Sequence, residues 1–116
     1  MSLTDELKLL GADTDDAIKR FMGKTDLYEK MVKKFPEAAT KDNVTGCFEA
    51  QDFEAAVAGA HTLKGITGNL SLTPLYEAYT NIVALLRAGE NESAKKALDA
   101  ILPLQEKFIQ CIENNK

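Results

Sequence analysis

Tryptophan is absent, histidine occurs once and cysteine twice in this chain of 116 residues. Cys47 and Cys111 lie far apart, with no CxxC spacing and no second histidine. That argues against both a disulfide framework and a zinc site. No apolar run approaches the roughly 20 residues that cross a bilayer. The first residues, Met1-Ser2-Leu3-Thr4-Asp5-Glu6, lack the charged-then-apolar order of a signal peptide, so cytoplasm is the expected compartment. No segment alternates apolar and polar residues between hairpin turns, and no period of about 20–50 residues repeats. Neither a sheet nor a solenoid is expected. Acidic residues outnumber basic ones, 18 to 14. A net charge of −4 disfavours nucleic acid as a partner, because phosphate neutralisation dominates that affinity. Lysines do cluster, at Lys30-Lys33-Lys34 and at Lys95-Lys96, but each cluster falls on an amphipathic pattern and reads as a solvated helix face.

What is present is helical. The length suits one domain that buries roughly 65% of the surface its unfolded chain exposes. Ser2 and Asp5 form a candidate capping box for a short helix ending at Gly11. Thr14, as N-cap, opens a second, with Ala17, Ile18, Phe21 and Met22 inward and Gly23 as its stop. Thr25-Asp26 opens a third, with Leu27, Tyr28, Met31, Val32 and Phe35 on its apolar side. Pro36 predicts a kink with the helix continuing beyond it; a break near Asp42-Asn43 competes with that continuity. Asp52 is placed to cap a helix that runs to about Leu70. Thr73, as N-cap, and Pro74 open the next, striped by Leu75, Ala78, Tyr79, Ile82, Leu85 and Leu86 and ended by Gly89. Asn91 opens the last, striped by Ala94, Ala97, Leu98, Ile101, Leu104, Phe108, Cys111 and Ile112 and bent at Pro103. The expected fold is all-α: an antiparallel up-down four-helix bundle, core about 25–113, with short additional helices at the N-terminus.

The most informative stretch is Ala60-His61-Thr62-Leu63-Lys64-Gly65 and its continuation to Leu70. At 3.6 residues per turn, His61, Lys64, Gly65 and Gly68 share one face. Phe53, Val57, Ala60, Leu63, Thr67 and Leu70 form another stripe, expected in the core. A glycine inside a helix costs about 0.5–1 kcal/mol relative to alanine. Two glycines beside the only histidine therefore suggest clearance, letting another surface approach the ring; apolar side chains of neighbouring helices and the region around Lys30 and Lys34 are candidates to extend that docking face. A buried structural histidine would call for neither glycine nor lysine on its own face. Tyr76 and Tyr79 are expected in the core or at its edge.

At these residues the chain resembles the histidine-containing phosphotransfer (HPt) domains of bacterial and fungal phosphorelays. Their helical His-x-Leu-Lys-Gly signature is matched by His61-Thr62-Leu63-Lys64-Gly65, and Gly68-Asn69-Leu70 fits its continuation. The resemblance extends more loosely from about Gly11 to Gly89. Ser71 departs from it, standing where many members have glycine, as does Val83, where many have glutamate. The resemblance implies the same bundle, with residues 1–116 as a single HPt domain. It implies that His61 accepts a phosphoryl group on Nε2 from a phospho-aspartyl receiver domain and passes it to another receiver. Lys64 and Gly65 would support the transfer, and Gly68 with them would meet the partner. Receiver domains and a sensor histidine kinase, including hybrid kinases, are the implied partners. The chain itself would be a monomer without metal or cofactor; magnesium would sit on the receiver.

The chemistry of the residues agrees. Free imidazole is largely neutral at pH 7 and is a nucleophile toward phosphorus. Phosphoryl transfer asks for positioning and charge stabilisation more than for covalent help. One exposed histidine, one cation and room for a partner are enough for a carrier without turnover of its own. A hydrolase needs an orienting acid, and no Asp, Glu, Ser or Cys lies within a turn of His61 on its face. Glu77 could approach only through the fold. No Asp-Ser-Leu motif suggests a phosphopantetheine arm. The competing class is a docking or adaptor bundle in which His61 is incidental and the glycine face binds a signalling partner unphosphorylated.

Overall fold

The computed structural model describes residues 1–116 as eight helices and no strand. In chain order they are α1 (Leu3–Leu9), α2 (Thr14–Arg20), α3 (Thr25–Val32), α4 (Phe35–Lys41), α5 (Val44–Glu49), α6 (Phe53–Asn69), α7 (Thr73–Arg87) and α8 (Asn91–Glu113). The three long helices follow one another through short turns; α7 packs against both α6 and α8. The short helices fill around them: α5 lies on α6, α1 and α4 on α8, and α4 also touches α6. One apolar core runs through all of this, from Leu3 and Leu7 through Tyr28, Phe35, Leu63 and Tyr79 to Phe108 and Ile112.

Local chemistry explains the helix starts. Ser2 Oγ accepts from the Asp5 amide at 3.1 Å, and the Asp5 carboxylate accepts from the Ser2 amide, closing the expected capping box. Asp52 caps α6 as expected, accepting from the Ala55 amide at 3.1 Å. Asn43 caps α5 in the same way. Three expected starts shift. Asp13, not Thr14, caps α2, and Thr14 is buried in the first turn with its hydroxyl unpartnered. Thr73 and Asn91 are first helical residues rather than caps, preceded by Leu72 and Glu90.

Around Pro36 the chain breaks twice. The third helix stops at Val32, a new one starts at Phe35 with proline in its first turn, and a second break falls at Asp42-Asn43. Proline lacks the amide that a continuing helix would need, but it fits the first turn, where that donor has no partner anyway. The expected continuation through a kink is therefore replaced by α3, α4 and α5.

The apolar stripes hold in the long helices. Leu75, Tyr79, Ile82 and Leu86 of α7 are buried, as are Ala94, Leu98, Phe108 and Ile112 of α8. Two expected inward residues point out instead: Met22 is 83% exposed and Leu27 40%. Met22 lies beyond the end of α2 with φ 59°, which turns it away from the helix's apolar side.

Candidate functional site

Asp52 fixes where α6 begins, and the buried side of α6 fixes how it rotates. Ala56, Gly59, Ala60, Leu63 and Thr67 face the core. Gly59 lets α5 come close: a Cβ there would lie 3.3 Å from Val44 Cγ2. Thr67 satisfies its buried hydroxyl on the Leu63 carbonyl at 2.8 Å. With that side inward, His61 and Gly65 are exposed away from it, and Lys64 and Gly68 are half-buried beside them.

All four line one open depression of about 590 Å³. The grouping expected from helical period is thus brought together. The His61 imidazole makes no hydrogen bond and no ion pair within the chain, and Lys64 has no acidic partner. Space around the two glycines differs. A Cβ on Gly65 would meet nothing within 4 Å. A Cβ on Gly68 would come to 2.9 Å from two ring carbons of Tyr76. Gly65 leaves room for an outside surface, whereas the room at Gly68 is filled by this chain's own α7.

Five further residues line the depression: Thr73 and Tyr76 from the start of α7, Ser71 from the turn before it, and Asp13 and Asp16 from the start of α2. Helical period within α6 could not show these, since they arrive through tertiary packing. For Tyr76 a signal was available: a glycine inside a helix implies a large neighbour as readily as a partner.

The α2 end is held by Arg20. Its Nη2 donates to the Gly68 and Asn69 carbonyls at 3.1 and 2.8 Å and to Ser71 Oγ at 2.6 Å. These carbonyls belong to the last turn of α6, where a cation is favoured. Arg20 also pairs with Asp16, one turn back. The Arg20 guanidinium holds the Asp16 carboxyl below its ordinary pKa through that bond, against a smaller opposing effect of desolvation, and Ser71 Oγ adds a 3.3 Å contact. Ser71 itself takes φ 52°, a left-handed conformation that glycine adopts more easily. That is the physical reason a glycine would suit this position.

Other residues considered from the sequence lie elsewhere. Glu77 is exposed and does not line the depression. Asn69 faces a second, smaller hollow with Ile66, Met31 and Lys34. Lys34 thus borders α6, while Lys30 lines neither hollow. Cys47 and Cys111 are both free thiols, and burial pushes the Cys111 thiol up in pKa, with Glu6 acting the same way. No cluster of three or more His, Cys, Asp or Glu side chains is arranged to hold a metal ion. No helix is long and apolar enough to cross a membrane. No protein-family model, curated protein or solved structure matches the chain.

Proposed function

We propose that this chain is a phosphoryl carrier of the HPt kind, with His61 as phosphoacceptor. The supporting observation is the exposed, unpartnered imidazole on α6, with Lys64 one turn along and open space over Gly65. The architecture proposed with it is a four-helix bundle. Its members are α6, α7, α8 and the interrupted α3–α4, with α1, α2 and α5 as additions.

In the transfer, the Nε2 lone pair forms the N–P bond while the P–O bond to the partner's aspartyl carboxylate breaks. The carboxylate leaves with the electron pair, and the imidazole proton stays on Nδ1. Lys64 offsets the negative charge delivered to the ring. Gly65 lets the partner's reacting group come within bonding distance. The reverse sequence passes the group on. A hydrolase would need an acid to orient the histidine, and His61 has no such hydrogen bond, which favours a carrier over a catalyst. Receiver domains are the proposed donors and acceptors, with magnesium on their side of the contact.

The test is transfer of labelled phosphate from phosphorylated receiver domains to wild type and to His61→Gln. Because His61 is exposed and unbonded, the substitution should change stability by less than about 0.5 kcal/mol. Acid-labile, base-stable label on wild type alone is the expected result. A folded wild type that binds a receiver but takes no label would make it a docking bundle instead.

A further inference from the structure

Three tyrosines occur in the chain, and their hydroxyls differ. Tyr28 donates to the Leu70 carbonyl at 2.9 Å, and Tyr79 donates to Gln105; both rings are buried. Tyr76 is 38% exposed, and its hydroxyl has no partner in the chain. It is the only aromatic residue lining the depression that holds His61 and Lys64. Its ring fills the space where a Gly68 side chain would begin: an added Cβ would lie 2.9 Å from two ring carbons. Gly68 is the next-to-last residue of the 17-residue α6, so the notch opens in the final turn of the helix, directly before the turn that leads into α7. The missing side chain at Gly68 thus leaves the space in which one half-exposed aromatic ring sits in the same depression as the histidine.

We propose that Tyr76, seated in the notch left by Gly68, is a specificity-determining contact for the partner that meets His61. The proposal rests on the phosphotransfer function given above and adds a residue that the His-x-Leu-Lys-Gly motif does not contain. The ring forms a flat apolar wall along the groove, and the hydroxyl donates to an acceptor on the docked surface, a carbonyl or carboxylate. Exposed tyrosine suits this task because it offers a large rigid contact and a polar tip at little conformational cost. Gly68 then acts through Tyr76, as a positioning residue. Gly65 alone remains open to the partner.

Two measurements test it. The first is a double-mutant cycle in thermal midpoint, which needs no partner. Gly68→Ala should lower the midpoint in wild type, where the methyl meets the ring. It should raise the midpoint in a Tyr76→Ala background, where only the better helix propensity of alanine remains. A rise in both backgrounds would overturn the seating of Tyr76.

The second is transfer from a panel of acetyl-phosphate-charged receiver domains, with KM and kcat separated. Tyr76→Phe, which keeps the wall and loses one hydrogen bond, should raise KM about fivefold, and Tyr76→Ala should raise it more than tenfold. In both, kcat should stay within about twofold, because both variants keep His61 and Lys64. Wild-type KM in Tyr76→Ala would overturn the contact role while leaving phosphotransfer intact. Absence of label on wild type with every receiver would overturn phosphotransfer itself, and the role of Tyr76 with it.

Discussion

Gly65 and Gly68 lie on one face of α6 and answer to different neighbours. At Gly65 the space is open, so a side chain there meets solvent and replaces a poor helix former with a better one. Gly65→Leu should therefore stabilise the fold, by about 0.5–1 kcal/mol in a urea melt. The same isobutyl group would stand where a partner must approach His61, so transfer should fall by more than tenfold. Normal transfer by a folded Gly65→Leu would refute the clearance role. Gly68→Leu does not offer the same clean test, because it collides with the Tyr76 ring before any partner arrives. The period of α6 was enough to place His61, Lys64, Gly65 and Gly68 together from sequence. It could not supply Tyr76, Asp13, Asp16 or Ser71, which reach the groove from α7, from α2 and from the turn after α6.

Helix ends show where single-residue signals suffice and where they do not. Five helices finish with the same pair of hydrogen bonds around a residue of positive φ, a Schellman motif. After α1 and α7 that residue is Gly11 or Gly89, and both stops were legible. After α2, α5 and α6 it is Met22, Gln51 or Ser71, and nothing in those residue types announces a left-handed turn. The expected end of α2 at Gly23 consequently fell one residue late. Of the prolines that fall in a first turn, Pro74 was legible as a boundary, whereas Pro36 was expected to kink a continuing helix and instead opens α4. Pro103 stays inside α8, which runs on to Glu113. Its ring faces solvent, and it cannot donate to the carbonyl four residues earlier, at Asp99. Pro103→Ala should restore that bond and raise stability by about 2–3 kcal/mol, read as a higher urea midpoint at unchanged slope. A lower midpoint would mean that burial of Gln105 and Phe108 depends on a helix path only proline allows.

Two buried tyrosines join elements that are distant in sequence, and they tie stability of the whole molecule to pH. Tyr28 links α3 to the last residues of α6, and Tyr79 links α7 to α8. Burial pushes the Tyr79 hydroxyl up from 10.0 to about 12, the Gln105 hydrogen bond opposing it slightly. Burial moves Tyr28 in the same direction, with Arg20 opposing. In the unfolded chain both lose a proton near pH 10, while the folded chain keeps it. Between those values the unfolded state binds fewer protons, so folding stability falls as pH rises. Below pH 10 the contribution of Tyr79 is fully present. By pH 12 about 2–3 kcal/mol of it should be gone, at 1.36 kcal/mol for each unit of the shift. General repulsion also grows in base, since the chain is already at −4 near neutrality. Tyr79→Phe separates the two effects. It should lower stability near pH 7 by about 1–3 kcal/mol, because Gln105 loses its buried partner. Between pH 10 and 12 it should flatten the slope of stability against pH. An equal slope in wild type and Tyr79→Phe would assign the alkaline loss to net charge alone and remove Tyr79 from it.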